Sequence, residues 1–226
     1  MNTITFWKIE NGVLHSYNSY NDLGLILNAK KIGAAAPKIL SVDITSGDGE
    51  LDYTEHFGVV NYNNRTLWFE FSDIGNGLLD NFSRLQNLLN GQKWNITLSD
   101  DADYYYIGRV YVNEWQSDRN IGKVTVDVNA EPYKMKQATT VIYRLINGET
   151  IINCPNLKKT VTPSITFTTV GAKGTVSLGE QESSEFTSVC EDEVIFGAGD
   201  NLLKVTPTAD AKLPMGVRVE YREGSL

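Results

Sequence analysis

Three groups of carboxylates in this 226-residue chain are spaced as site chemistry would need them. Asp48, Glu50 and Asp52 alternate, so on a strand they share one face and can offer oxygen ligands to a calcium ion. Asp100, Asp101 and Asp103 crowd one short segment with the same ligand chemistry. Glu55, Glu70, Asp73 and Glu114 are carboxylates from which a glycoside-hydrolysing pair could be drawn. A plainer reading stands beside each. The complete calcium-loop pattern is missing, and acidic residues at hairpin edges and tips are ordinarily there because those places are wet. Hydrolysis needs two carboxylates at a fixed separation in space, which their positions along the chain do not select. The expectation is no metal site and no cofactor.

Nucleophilic chemistry has less to work with. Cys154 and Cys190 lie in the second half, whereas His15 and His56, the bases that would activate a thiol, lie in the first. There is no Gly-x-Ser-x-Gly, no phosphate loop and no zinc-binding histidine pair. The expectation is a non-enzyme with no catalytic residues and two free thiols, since a reducing cytosol disfavours a bond between them.

Charge narrows the partners. The net charge is -8, with 11 basic against 17 acidic residues in 1–134 and 9 against 11 in 135–226, so the excess is -6 and then -2. No Lys/Arg stripe of the kind that grips a phosphate backbone appears, so specific nucleic-acid binding is not expected. An acidic wall would instead let DNA pass without sticking. The N-terminus lacks a secretory signal and no stretch approaches the roughly 20 apolar residues of a membrane span, so the expectation is a protein kept in the cytosol, without membrane insertion. Asn64, Asn81 and Asn95 fit the glycosylation pattern and are read as chance matches.

The elements that must position these residues are mostly strands. Tyr, Val, Thr and Ile recur in short runs broken by Gly, Asn, Asp and Pro. In 39–45, Leu40, Val42 and Ile44 share one face, which predicts a half-buried strand ending at the Gly47-Asp48-Gly49 turn. In 66–71 both faces carry aromatics, which predicts a strand covered on each side. Leu78, Phe82, Leu85 and Leu89 fall at helical spacing and predict one helix over about 76–90, with Asn76 as its cap and Gly91 at its end. Residues 93–98 and 104–112 read as a hairpin around the acidic segment, and 123–130 as a strand with Val124, Val126 and Val128 inward. Glu131-Pro132 ends it. The remainder is short alternating runs, the pattern of a β-sandwich. The expected architecture is mainly β: an N-terminal α+β domain over 1–133, a sheet with one helix, then a β-sandwich over 134–226.

Trp68, Tyr104, Tyr105, Tyr106, Tyr111 and Trp115 crowd the first half. Three successive tyrosines on a strand cannot face one side, so at least one meets a surface, an edge or another subunit, and Tyr105 is the candidate for a subunit or partner contact. The runner-up function, a carbohydrate-binding module in cell-wall adhesion, would need an aromatic platform. The second half has no tryptophan, and its tyrosines, Tyr143 and Tyr221, lie near its two ends.

Taken in order, residues 46–53, 62–71, the joint at 130–134, the Gly-Ala-Gly-Asp-Asn turn at 197–201 and the closing 217–226 resemble the distal tail (Dit) proteins of long-tailed bacteriophages and prophages. The resemblance spans nearly the whole chain. It implies a ring-forming first domain followed by a galectin-like sandwich, assembled as a homo-hexamer at the tail tip. One face of that ring would dock the tail tube protein and the other the tail-associated hub, lysin or fibre protein. DNA would pass through the centre, and Asp100, Asp101 and Asp103 are the candidates for a channel-facing acidic loop. The implied location is the virion tail tip, after assembly in the host cytoplasm. A contractile-tail baseplate or a phage-like bacteriocin would use the same physics in a different particle.

Overall fold

The computed structural model describes residues 2–56, 58–74, 78–118 and 121–226, and the chain divides into two compact units, Met1–Lys134 and Met135–Leu226. It is mostly β, with one helix among the described residues.

In the first unit, β1 (Ile4–Glu10) turns through Asn11-Gly12 into β2 (Val13–Asn18). Asn11 and Gly12 have φ of 51° and 77°, the left-handed pair that a tight hairpin turn requires. There follow β3 (Leu25–Ile32), β4 (Ser41–Asp43), β5 (Glu50–Asp52), β6 (Arg65–Ile74), α1 (Leu78–Leu89), β7 (Lys93–Leu98), β8 (Tyr104–Asp118) and β9 (Ile121–Ala130). The main sheet is antiparallel in the order β2-β1-β7-β8-β9-β6-β3. Ser19, which is fully buried, ties the start of β1 to the start of β3. The Ser19 N–H donates to the Ile4 carbonyl at 2.8 Å, its carbonyl accepts from Leu25 N–H at 2.7 Å, and its hydroxyl accepts from Ile4 N–H at 3.1 Å. The sheet carries a buried core that includes Phe6, Leu67, Phe69, Phe71, Trp94 and Ile96, with Val124, Val126 and Val128 inward as the alternation predicts.

The helix lies where the periodicity places it. Leu85 and Leu89 are buried, and Phe82 packs against Trp115 with ring centroids 6.1 Å apart. Gly91 ends it with φ 73°, and its N–H donates to the Val110 carbonyl of β8 at 2.8 Å. The expected cap, Asn76, lies outside the described residues.

Two expectations are corrected here. Residues 39–45 do not form a half-buried strand of the main sheet: β4 pairs with β5 alone, and Leu40, Val42, Ile44 and Leu51 are exposed. The alternation is real, but within the first unit this two-stranded ribbon covers no core. In β6, Leu67, Phe69 and Phe71 are fully buried, whereas the opposite face is only partly covered: Thr66 is exposed, and Trp68 is shielded by the Lys31 ammonium 4.8 Å from its ring centre.

β10 (Lys134–Lys136), which starts at the last residue of the first unit, pairs with β19 (Gly224–Ser225) of the second. Between them run β11 (Thr140–Ile146), β12 (Thr150–Asn156), β13 (Ser164–Phe167), β14 (Gly174–Leu178), β15 (Gln181–Glu182), β16 (Val189–Cys190), β17 (Gly199–Pro207) and β18 (Met215–Tyr221). They form two four-stranded sheets, β11-β18-β13-β16 and β12-β17-β14-β15, sharing one core that includes Cys154, Ile165, Phe196, Leu203, Val217 and Val219. The 197–201 turn is organised by the buried Asn201. Its amide accepts from Gly197 N–H at 2.9 Å and donates to the Cys154, Gly197 and Gly199 carbonyls, each at 3.1 Å.

Candidate functional site

The carboxylates singled out in the sequence are dispersed. Glu70 accepts from Lys123 at 3.4 Å, Asp73 is buried and accepts from the Asn81 amide at 2.8 Å, Glu55 lies on the β4–β5 arm and Glu114 is exposed on β8. Of the calcium candidates, Glu50 and Asp52 share one face of β5 with Ser41 and Asp43 opposite them, and the Ser41 hydroxyl donates to Glu50. No group of metal-ligating side chains is assembled among the described residues.

The acidic segment after β7 is tied down by lysines. Asp100 is ion-paired with Lys30 of β3, and this hydrogen bond holds its carboxyl below the usual range against a small opposing effect of burial. Asp101 accepts from Lys134 at 2.8 Å, and that ammonium also stands 4.3 Å from the centre of the Tyr104 ring. Burial works against the charged lysine, but the Asp101 bond and charge outweigh it and raise its pKa. Asp103 is exposed and makes no ion pair among the described residues. The segment therefore presents less net negative charge than its sequence implies.

Tyr105 is also less available than expected. It is 7% exposed and meets Trp7 of β1 edge to face, ring centroids 5.1 Å apart. Tyr106 faces the core, and Tyr111, further along β8, is the exposed tyrosine of that strand. In the second unit, Tyr221 is buried with its hydroxyl donating to the Pro155 carbonyl at 2.5 Å, which leaves Tyr143 as the exposed aromatic on β11.

The feature that sequence reasoning missed is the arm over residues 37–62. Its base is clamped by the Pro37–Tyr62 bridge, by Lys38 N–H to the Asn61 carbonyl and by Asn63 N–H to the Ala36 carbonyl, each bond 2.8 Å. Beyond this base the ribbon shows two unlike faces. Val42 and Leu51 pair across the strands on one, while Asp43 opposes Glu50 and Ser41 opposes Asp52 on the other. Ile39 is 70% exposed and Val59 61%. A hollow of about 450 Å³ at the arm's root is lined by Pro37, Ile39, Asp52, Thr54, Glu55 and Val60. A second apolar projection is the β1–β2 hairpin, where Ile9, Val13 and Leu14 are exposed. Isolated two-stranded ribbons are marginal in water. The sequence signal was present in the strand-like run at 39–45 followed by a charged turn, but alternation alone does not say which surface covers the apolar side.

The cysteines are free and buried. Burial pushes the Cys154 thiol up to about 11 against a small opposing effect of Arg144, and burial first and the Glu193 charge second raise that of Cys190. Neither is a poised nucleophile.

No protein-family model and no curated protein matches the chain. Two structures of the phage p2 baseplate in its activated conformation, with Sr and with Ca, align over 98% and 99% of this chain and 98% of theirs, at 8% and 7% identity and TM-scores of 0.43 and 0.40. The crystal structure of SPP1 Dit (gp 19.1), presented as a paradigm of the hub adsorption apparatus in phages infecting Gram-positive bacteria, aligns over 98% of this chain and 99% of its own. With a TM-score of 0.65 at 15% identity, the chain has the fold of the SPP1 Dit protein from end to end.

Proposed function

We propose that this chain is a structural component of a phage or prophage tail tip, a distal tail protein. Six copies form a ring that joins the tail tube to the hub, lysin or fibre proteins and leaves a channel for DNA. The observation that carries this reading is the fold shared with SPP1 Dit over 98% of this chain and 99% of that one. The surfaces support it. A closed ring needs two different patches on each subunit, one meeting the other around the axis, and the first unit offers an apolar arm and a separate apolar hairpin tip. Burying these surfaces is favourable at roughly 25 cal/mol per Å² before the cost of association. In this assembly the segment after β7 faces the channel with Asp103 as its free carboxylate, and the second unit is the outward platform.

The test is negative-stain electron microscopy of the purified chain over a concentration series, with native mass spectrometry for stoichiometry. Six-fold rings with a central hole are expected. Compact monomers at every concentration would overturn ring formation by this chain.

A further inference from the structure

Arg65 opens β6 with its side chain turned inward, 7% exposed. Its neighbours in register are Ala130 on β9 and, beyond it, Gly108 on β8. The guanidinium carbon stands 5.7 Å from the centre of the Tyr106 ring. Its Nε has no hydrogen-bond partner, and no carboxylate of the described residues forms an ion pair with it. A guanidinium does not shed its proton, and a buried charge is ordinarily matched by a counter-charge. The aromatic face offsets only part of that need. Lys134, the cation beside Tyr104 on the same strand as Tyr106, already has Asp101.

The complementary imbalance lies on the arm. Residues 37–62 hold one basic residue, Lys38, against five acidic ones, Asp43, Asp48, Glu50, Asp52 and Glu55. None of these carboxylates is in an ion pair among the described residues. Asp43 and Glu50 stand directly opposite each other across β4 and β5, a like-charge pairing that destabilises a ribbon left bare. One chain therefore contains a buried cation without an anion and a row of anions without a cation. The arm does not serve the Arg65 of its own copy, and in a closed ring each subunit is followed by another in the same sense.

We infer that Arg65 is the receiving site for a carboxylate of the Asp43–Glu50 row on the arm of a neighbouring copy, making it a specificity-determining contact of the ring. This rests on the ring reading above. A bidentate guanidinium–carboxylate pair fixes geometry as well as sign, and the inward position beside Tyr106 keeps it from being screened by salt as a surface pair would be.

The experiment compares assembly of the full chain with that of three variants by native mass spectrometry and sedimentation over a concentration series: Arg65→Met, the double substitution Asp43→Asn with Glu50→Gln, and all three changes together. Each of the first two is expected to move the assembly midpoint at least tenfold to higher concentration, and the combination to add little, because the partners act through one contact. Arm substitutions that assemble at the concentration of the unaltered chain would overturn the inference, as would losses that multiply when combined. Should Arg65→Met fail to fold, the arm variant still decides, since its two positions are exposed and outside the core. An unaltered chain that never assembles would overturn the ring itself, which is a different result from rings indifferent to these residues.

Discussion

Lys136 reaches across the second unit to Glu223, its ammonium donating to Oε1 at 2.9 Å while its backbone N–H donates to the Glu223 carbonyl at 2.9 Å. Glu223 is 8% exposed and also accepts from the Thr140 hydroxyl at 2.6 Å. Burial alone would raise its pKa. The Thr140 and Lys136 bonds outweigh that effect and hold the carboxyl below its ordinary value. A depressed carboxyl stabilises the fold above its unfolded pKa, roughly 4.3, and that contribution is lost as pH falls through the folded value. Glu223→Gln is therefore expected to destabilise the second unit by about 1–3 kcal/mol near neutral pH and to flatten the acid side of its stability profile. Chemical denaturation from pH 7 down to about 3 checks both. An acid limb as steep as in the unaltered protein would mean other carboxylates govern it.

Core and arm should respond oppositely to truncation. Leu85→Ala removes a buried contact of the helix with the sheet and is expected to cost about 2–5 kcal/mol of first-unit stability. Val42→Ser sits on the exposed face of the ribbon, so its effect on the monomer should stay within about 0.5 kcal/mol while assembly weakens. Denaturant titration paired with sedimentation separates the two. A Val42→Ser protein that assembles normally would remove the apolar ribbon face from the ring contact.

The contrast between these positions also marks what the sequence could convey. Where alternation meets a covering element, as in Leu67, Phe69 and Phe71 or Val124, Val126 and Val128, periodicity and burial agree because one closed core absorbs every inward side chain. The helix is legible for the same reason, its leucines needing a sheet to lie on. Leu40, Val42 and Ile44 have the same alternation without a cover in the chain, so an identical signal predicts a buried strand and yields an exposed one. The acidic segment fails differently. Lys30 and Lys134 are 70 and 33 residues from the carboxylates they neutralise, so their compensation is created only by the fold. Tyr105 likewise is buried by Trp7, a partner from the other end of the sheet's sequence.

If the loop after β7 lines the channel, its electrostatics reside chiefly in Asp103. Asp103→Lys is expected to leave ring formation intact and to reduce DNA delivery by particles carrying the variant, because a cation in the wall would hold the phosphate backbone. Rings are counted by microscopy and delivery by infectious titre. An unchanged titre would take this loop out of the channel wall.

The two units carry separate reporters of their own unfolding. All four tryptophans, Trp7, Trp68, Trp94 and Trp115, belong to the first unit, and both cysteines, Cys154 and Cys190, to the second. Each unit has its own buried cluster. At pH 8 the native thiols should react with a thiol reagent at least about 100-fold more slowly than in the unfolded chain, since burial both raises their pKa and blocks access. In a denaturant series, tryptophan emission then follows the first core and thiol labelling the second. Two separate transitions are expected, because neither hydrophobic cluster draws on the side chains of the other. Coincident transitions across all conditions would mean that the units unfold as one cooperative body, and Glu223→Gln sharpens the distinction. That substitution should advance thiol exposure alone if the second unit unfolds independently, and should advance both signals together if it does not.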